Sequence, residues 1–306
     1  MITAVENIIP RTLDKNISDI LNDFSIKIEE TVNLGSNILI WDMEINRGGD
    51  ENLPILLFLR NYLEQLDACS ILIKYACVEP AHNLIRTALE NFFYIQYLLE
   101  EDFERRSRFF LVWNAYRTKA YYEKADGKSE SYLDLVKTYK EDKFLSNFKP
   151  IIIPDIEPLK QNSQEFLDLP KYKGISQEYQ KKLIKRNRPE WYSLFNGPNN
   201  IKELADHLKY PAFYKILYQS LSSSTHGTNI IQDKIVTDEN NNVSIFQIRL
   251  PINIEFLVNA CMTLSFSLYN DFTNKRLPDK VSIIKDWYLA LKPFLDSLKT
   301  THIKIK

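Results

Sequence analysis

Three side chains that could do chemistry are spaced by helical turns in one segment. His82, Arg86 and Glu90 follow at intervals of four residues in P-A-H-N-L-I-R-T-A-L-E-N-F-F-Y-I-Q-Y-L-L-E. Positions four apart lie on one face of a helix. The rest of the segment is mostly apolar, as in a central bundle helix. Two interpretations follow: an exposed Arg–Glu pair, or a cleft in which the charges are paired because isolated buried charges are strongly disfavoured.

A second group of polar residues lies in F-Y-K-I-L-Y-Q-S-L-S-S-S-T-H-G. Ser222 and His226 are again four residues apart, and Gly227 has the position of a residue that ends a helix in a left-handed turn. An imidazole can act as a general acid or base near neutral pH, and a helix C-terminus favours its protonated form. The alternative is a capping histidine that bonds the last carbonyls, with serines that permit close helix packing.

Other catalytic and binding patterns are missing from the sequence. It contains neither the G-x-S-x-G turn of serine hydrolases nor the glycine-rich loops of nucleotide-binding folds. The four histidines are scattered without H-x3-H spacing, so we expect no metal ion and no other cofactor. Arginines and aromatic residues alternate between 102 and 124, which suits RNA binding or an ordinary amphipathic helix.

Composition limits the possible partners. The 306 residues carry a net charge of −1, so no global field attracts nucleic acid or membranes, and any anion must be held by a local patch. We find no DNA-binding signature. There is no cationic leader, and no apolar run approaches the ~18 residues of a membrane span, so we expect a cytoplasmic protein.

The elements that position these residues are predicted to be helices. The fold class is mainly α: a multi-helix orthogonal or up-and-down bundle with one small β-hairpin, at 235–250. Residues 13–44 form one long helix or two abutting helices with a break at Gly35. We expect residues 1–50 to form an N-terminal helical segment and residues 51–306 a helical bundle domain, including a proline-rich connector at 147–170. Together they form one compact unit. A short helix is expected near Ser163 and another from Ser176.

These segments, together with W-Y-S-L and I-K-E-L-A-D-H-L, resemble an uncharacterised bacterial family of all-helical proteins, a domain of unknown function. The similarity extends from about Leu56 to Asn270. Matched residue by residue, the family positions are Arg86, Glu90, Trp191, Tyr214, Tyr218, Ser222 and His226. Many relatives have a lysine before the I-x-E-L-A run, where this chain has Asn196-Gly197.

The resemblance implies a fold more than an activity. The arrangement is loosely similar to the HEPN class, whose members include RNA-cleaving toxins and antiphage effectors. HEPN ribonucleases carry R-x4–6-H on one helix, whereas Arg86 and His226 are far apart in this sequence. The similarity to that class is therefore an analogy.

Two functions fit these residues. The first is a toxin-like or antiphage-defence effector that binds or cleaves RNA or a nucleotide, as a metal-independent ribonuclease or nucleotide-processing enzyme. Its expected catalytic residues are His226, Arg86 and Glu90, and its expected substrate-binding residues are Ser222, Tyr218, His82 and Trp191. The second is a non-catalytic interaction module that forms a homodimer, in which the same residues make a structural polar network. The first requires Arg86, Glu90 and His226 to border one cleft.

Overall fold

The computed structural model describes residues 12–185, 188–221, 234–237 and 241–298. This part of the chain is mainly helical, as the sequence predicts. The helices are α1 (Lys15–Glu44), α2 (Leu53–Lys74), α3 (Val78–Leu99), α4 (Phe103–Ala125), α5 (Glu130–Glu141), α6 (Glu157–Asp168), α7 (Pro170–Lys185), α8 (Ile201–His207), α9 (Pro211–Phe213), α10 (Ile254–Arg276) and α11 (Val281–Leu298). A π-helical turn, Tyr214–Tyr218, continues α9, and short 3-10 turns lie at Asp50–Asn52, Trp191–Asn196 and Pro278–Lys280.

Contacts between the elements divide the chain into two units, and each is described by itself. The first unit comprises Met1–Glu101 and Leu204–Lys306, and the second comprises Asp102–Glu203. Helix α1 therefore shares a unit with α2 and α3. The division expected from the sequence, at residues 1–50 and 51–306, stays a prediction.

The core of the first unit lies where α2 packs against α1 and α3, and where α10 packs against α1, α3 and α11. Its largest fully buried side chains are aromatic and branched aliphatic: Tyr62, Tyr269, Phe92, Phe93, Phe272, Leu21, Ile28, Ile38, Ile55 and Leu59. Burial of each such side chain contributes roughly 1.5–3 kcal/mol. The buried hydroxyl groups of Tyr62 and Ser265 are 2.8 Å apart and satisfy each other by a hydrogen bond.

Gly35 does not break the first helix. Of the two arrangements that the sequence allows, the single long helix is correct. A β-carbon on Gly35 would overlap the side chains of Leu63 on α2 and Tyr269 on α10. The Tyr269 hydroxyl is held at this point because it donates to the carbonyl oxygen of Thr31 at 3.0 Å. The glycine permits close packing of three helices rather than a turn.

Helix α3 carries the predicted polar stripe on a largely apolar cylinder. Ile85, Ala88, Leu89 and Phe92 are fully buried. Since α3 packs against both α2 and α10, its apolar positions lie inside the first unit. The polar stripe occupies what remains of the circumference.

The second unit is built on α4, which packs against α5, α6 and α7. The predicted connector at 147–170 contains α6, in agreement with the short helix expected near Ser163. The following helix begins at Pro170 rather than at Ser176, so this boundary was wrong. Proline suits the first turn of a helix because its missing N–H would have no partner there. The extra turns bury Tyr172 and Ile175.

The β-hairpin lies within the predicted range but is short. Strands β1 (Ile235–Thr237) and β2 (Val243–Ile245) pair antiparallel, with Ile235 opposite Ile245. Residues 246–250 continue as an irregular segment instead of extending the second strand. Among the described helices, none combines the length and apolar character needed to cross a membrane.

Candidate functional site

Arg86, Glu90 and Tyr218 form one hydrogen-bonded cluster. The Arg86 Nη2 atom donates to the Tyr218 hydroxyl at 2.7 Å, and that hydroxyl donates to Glu90 Oε1 at 3.0 Å. Arg86 Nη2 and Glu90 Oε1 are 3.5 Å apart, so the pair also interacts directly. The tyrosine therefore joins a positive and a negative group, accepting from one and donating to the other.

Local backbone geometry brings Tyr218 to α3. The Gln219 N–H donates to the carbonyl oxygen of Tyr214, a hydrogen bond over five residues that widens this turn into a π-helix. The rings of Tyr214 and Tyr218 stack with centroids 5.2 Å apart. The Arg86 guanidinium carbon lies 4.7 Å from the centroid of the Tyr218 ring, a cation–π contact. Such π-turns are frequent at functional sites.

The cluster is partly buried, and burial opposes charge within it. Side-chain exposure is 21% for Arg86 and 29% for Glu90. Burial raises the pKa of Tyr218, and the hydrogen bond from Arg86 only partly offsets this effect. For Arg86, burial would lower the pKa, but the contacts with Tyr218 and Glu90 outweigh it and the pKa is raised. The cluster therefore holds a protonated guanidinium and a neutral phenol.

A cleft of about 1220 Å³ opens at the start of α3. It is bounded by the first residues of α3, by the π-turn and the residues after it, and by the hairpin and the segment leading to α10. Three basic side chains line it, namely Lys215, Lys234 and Arg249. Glu79 is the one carboxylate among its described lining residues.

The basic side chains of the cleft differ in their partners. Lys234 Nζ lies 3.3 Å from Glu79 Oε2, an exposed ion pair. Lys215 and Arg249 have no ion-pair partner among the described residues, although Arg249 lies 5.8 Å from the ring centroid of Tyr75. Among the described residues, these two positive charges of the cleft therefore remain without a paired carboxylate.

His82 lines the cleft one helical turn before Arg86. Its Nδ1 atom is 4.0 Å from Glu79 Oε1. Burial lowers the pKa of His82, and Lys234 adds to this effect, whereas Glu79 opposes it. The imidazole is therefore neutral at pH 7, with nitrogen atoms suited to accept or donate one hydrogen bond each.

The structure brings some predicted site residues together and separates others. Arg86, Glu90 and Tyr218 are in contact, and His82 lies in the adjoining cleft. Trp191 belongs to the second unit, where its ring is 1% exposed and packs edge-on against Phe110 with centroids 5.8 Å apart. It is a core residue of that unit, and its predicted role in substrate binding stays a prediction.

Ser222 and His226 lie outside the described residues. Their expected roles in substrate binding and catalysis therefore stay predictions. Among the residues that are described, no group of three or more His, Cys, Asp or Glu side chains is placed to hold a metal ion.

The basic and apolar side chains of the cleft were missed by sequence reasoning. Lys215, Lys234, Arg249 and Phe256 come from three segments that helical periodicity does not connect. One signal was present: Lys215 lies three residues before Tyr218, within a segment already predicted to matter. Nothing comparable pointed to Arg249, which follows the hairpin.

Arginine–aromatic pairs on α4 are internal contacts of the second unit. The Arg105 guanidinium carbon lies 4.7 Å from the Phe195 centroid, and that of Arg117 lies 4.4 Å from the Trp113 centroid. Trp113 Nε1 also donates to the carbonyl oxygen of Pro189 at 3.0 Å. These contacts favour the amphipathic-helix interpretation of this segment over an RNA-binding one.

The segment that contains α3, the π-turn and strand β1 also decides the family. Residues 52–243 match a family of unknown function (DUF5677). The chain belongs to this family. The resemblance drawn from the sequence is thereby confirmed, although the predicted extent, to Asn270, reaches further than the match. No curated protein and no solved structure matches the chain.

The DUF5677 match includes one part of the site and leaves out another. The cluster of Arg86, Glu90 and Tyr218 lies within it, as does Lys234 of the cleft. Arg249 and Phe256 lie beyond residue 243. The matched segment thus supplies the cluster and part of the lining of the cleft, and the residues after it supply the rest of the lining.

Proposed function

We propose that this chain binds RNA or a nucleotide by its phosphate groups, in the cleft at the start of α3. The charge of the cleft is the main support for this proposal. Its described lining residues include three basic side chains and one carboxylate. The whole chain has a net charge of −1, so this positive patch is local. Lysine and arginine are the usual side chains that bind phosphate in proteins.

In this proposal the Arg86–Glu90–Tyr218 cluster positions the wall of the cleft. Lys215 belongs to the same π-turn as Tyr218, and Tyr218 is tied to α3 by two hydrogen bonds. The cluster therefore holds Lys215 near the start of α3. We assign Arg86 to this positioning role because its guanidinium already donates to Tyr218 and faces Glu90.

Equilibrium binding tests the proposal. The full chain is titrated with ribonucleoside monophosphates, ATP and a short single-stranded RNA, and compared with the double variant Lys215→Gln/Arg249→Gln. We expect the variant to lose roughly tenfold or more in affinity, since a hydrogen bond to a charged group contributes about 1.5–3 kcal/mol. Lys292→Gln, an exposed lysine on α11 outside the cleft, is the matched control. Absence of binding by the wild type, or equal affinities of wild type and double variant, would refute the proposal.

Cleavage is a separate part of the proposal. His226 would act as general acid or base on RNA or a nucleotide near neutral pH. The test is incubation of wild type and His226→Ala with the same ligands, followed by separation of the products. Loss of turnover in the variant with unchanged ligand affinity supports this role, and equal or absent turnover in both argues against it. An effector role in toxicity or antiphage defence would follow from cleavage and is proposed only together with it.

A second candidate function, the non-catalytic interaction module, is favoured by one observation. The Tyr218 hydroxyl has both an arginine donor and a carboxylate acceptor, which is typical of a structural network. This function predicts that Glu90→Ala and His226→Ala mainly lower the melting temperature. A normal melting temperature combined with lost cellular activity would contradict it.

A further inference from the structure

The cleft at the start of α3 is also lined by apolar side chains. These are Ile248, Leu250, Ile252 and Phe256, and the basic residue Arg249 lies between the first two in the chain. Phe256 is 39% exposed and Ile248 is 70% exposed, so both present apolar surface to the cleft or to solvent. A ligand that fills this space meets both positive charge and apolar surface.

The size and the aromatic content of the cleft restrict the ligand further. Clefts for small ligands usually measure about 300–1,000 Å³, so about 1220 Å³ is ample for one nucleotide. Proteins that bind single strands stack successive bases on successive aromatic rings. The described lining contains two such rings, Phe246 and Phe256. This is enough for one base and too few for a run of stacked bases.

We infer that the cleft takes a single ribonucleotide, with its phosphate at Lys215 and Arg249 and its base against Phe256. This inference rests on the proposed function and narrows its ligand from RNA or a nucleotide to a mononucleotide. Lys215 and Arg249 supply the charge because neither has an ion-pair partner among the described residues. Phe256 supplies a face on which a base can stack.

Cys77 provides a direct report on occupancy of the cleft. It lines the cleft and is partly exposed, whereas Cys69 and Cys261 are buried. Alkylation of the full chain by iodoacetamide, followed by mass spectrometry, therefore measures access to this site. The ligands are the four ribonucleoside 5′-monophosphates, ribose 5-phosphate and a short single-stranded RNA, and binding of each is also measured by titration.

We expect at least one monophosphate to slow Cys77 alkylation fivefold or more at saturation. Ribose 5-phosphate should protect only at much higher concentration because it lacks a base. Phe256→Ala should raise the half-protecting concentration of the monophosphate roughly tenfold and leave that of ribose 5-phosphate unchanged. Leu289→Ala, an exposed apolar residue on α11, is the matched control. Phe256→Leu, which keeps bulk but removes the aromatic face, replaces the alanine variant if that variant does not fold.

The outcomes separate the inference from the proposed function. If no nucleotide or RNA binds, the proposed function fails and the inference fails with it. If RNA binds and protects Cys77 but monophosphates do not, the proposed function stands and the inference is overturned. The inference is also overturned if a monophosphate binds while Cys77 reacts at an unchanged rate, or if Phe256→Ala leaves protection unchanged.

Discussion

Charged groups beside two consecutive stretches of α3 are in opposite states. Around Arg86 and Glu90, the charges are neutralised by each other and bridged by the Tyr218 hydroxyl. At the start of the helix, Lys215 and Arg249 have no ion-pair partner among the described residues, and a cleft lies in front of them. A closed network fixes positions, because moving any member breaks a hydrogen bond. An open one stays hydrated, and its water can be exchanged for a ligand.

A third group of charged residues, also in the first unit, is buried and paired more completely than the cluster on α3. The Asp42 carboxylate on α1 is 1% exposed and receives three hydrogen bonds from Arg276 on α10, at 3.0, 3.2 and 2.7 Å. Arg47 also donates to it. Nothing in the sequence pattern indicated this contact, since Asp42 and Arg276 are 234 residues apart. Among the ion pairs of the described residues, it is the most completely buried. We therefore expect its loss to lower stability more than the loss of any other ion pair discussed.

Removal of Asp42 should therefore have the largest effect. Asp42→Ala leaves two arginines without their shared carboxylate, and breaking a buried ion pair costs about 3–5 kcal/mol. We expect a loss of this size in the free energy of unfolding, measured in urea. Glu44→Ala, an exposed carboxylate on the same helix, should change it by less than about 0.5 kcal/mol. Similar changes in the two variants would show that the Asp42 network does not stabilise the fold.

The cluster on α3 should respond less strongly. Tyr218→Phe removes the hydroxyl that joins Arg86 to Glu90 and keeps the ring stacked on Tyr214. Because both lost hydrogen bonds involve charged but partly exposed groups, we expect a loss of about 2 kcal/mol in the free energy of unfolding. Tyr214→Phe is the matched control, since its hydroxyl has no hydrogen bond among the described residues. Equal stability of the two variants would contradict a closed network at Tyr218.

The sequence could predict only those parts of the site that depend on patterns over a few residues. Helical periodicity operates over a few residues, and it correctly placed Arg86 and Glu90 on one face. Tyr218 was singled out as well, but its position beside α3 depends on a π-turn, which periodicity of 3.6 residues does not anticipate. Gly35 shows the same limit, because the side chains that require it lie on two other helices.

Patterns over a few residues could not predict the cleft. Lys215, Arg249 and Phe256 lie in different segments, and each alone is an ordinary exposed residue. Their meeting depends on the path of the chain through the hairpin, which the alternation of residues predicts only as a local element. The net charge of −1 also concealed the patch, since a local excess of positive charge is cancelled elsewhere in the chain.

A substitution at Glu79 tests the difference between the charges at the start of α3 and those of the Arg86–Glu90–Tyr218 cluster. Its carboxylate forms an ion pair with Lys234 and repels anions from the cleft. Glu79→Gln should therefore raise the affinity for a nucleotide by roughly threefold to tenfold, or about 1 kcal/mol, with little change in stability because the ion pair is exposed. Glu64→Gln, which breaks the exposed Arg60–Glu64 pair outside the cleft, should leave the affinity unchanged. Lower affinity of Glu79→Gln would indicate that Glu79 itself contacts the ligand.

The smallest effect concerns His82, whose imidazole lies between the two stretches. Burial lowers its pKa in the folded chain, and Lys234 acts in the same direction while Glu79 opposes it. Above about pH 6.5, the ordinary pKa of histidine, both folded and unfolded chains hold a neutral ring, and His82 adds no pH dependence. Below it, the unfolded chain takes up the proton first, so the free energy of unfolding falls until the pH has passed the lowered pKa of the folded state.

Urea unfolding of wild type and His82→Gln at pH 7.5 and at pH 5 measures this contribution. We expect the wild type to lose more stability on acidification than the variant, by less than the effect of Tyr218→Phe. An anionic ligand at Lys215 and Arg249 would favour the protonated imidazole, because it places negative charge in the same cleft. The presence of a bound nucleotide should therefore reduce the difference between the two proteins at pH 5. If the ligand leaves that difference unchanged, the imidazole and the bound phosphate are not in the same cleft.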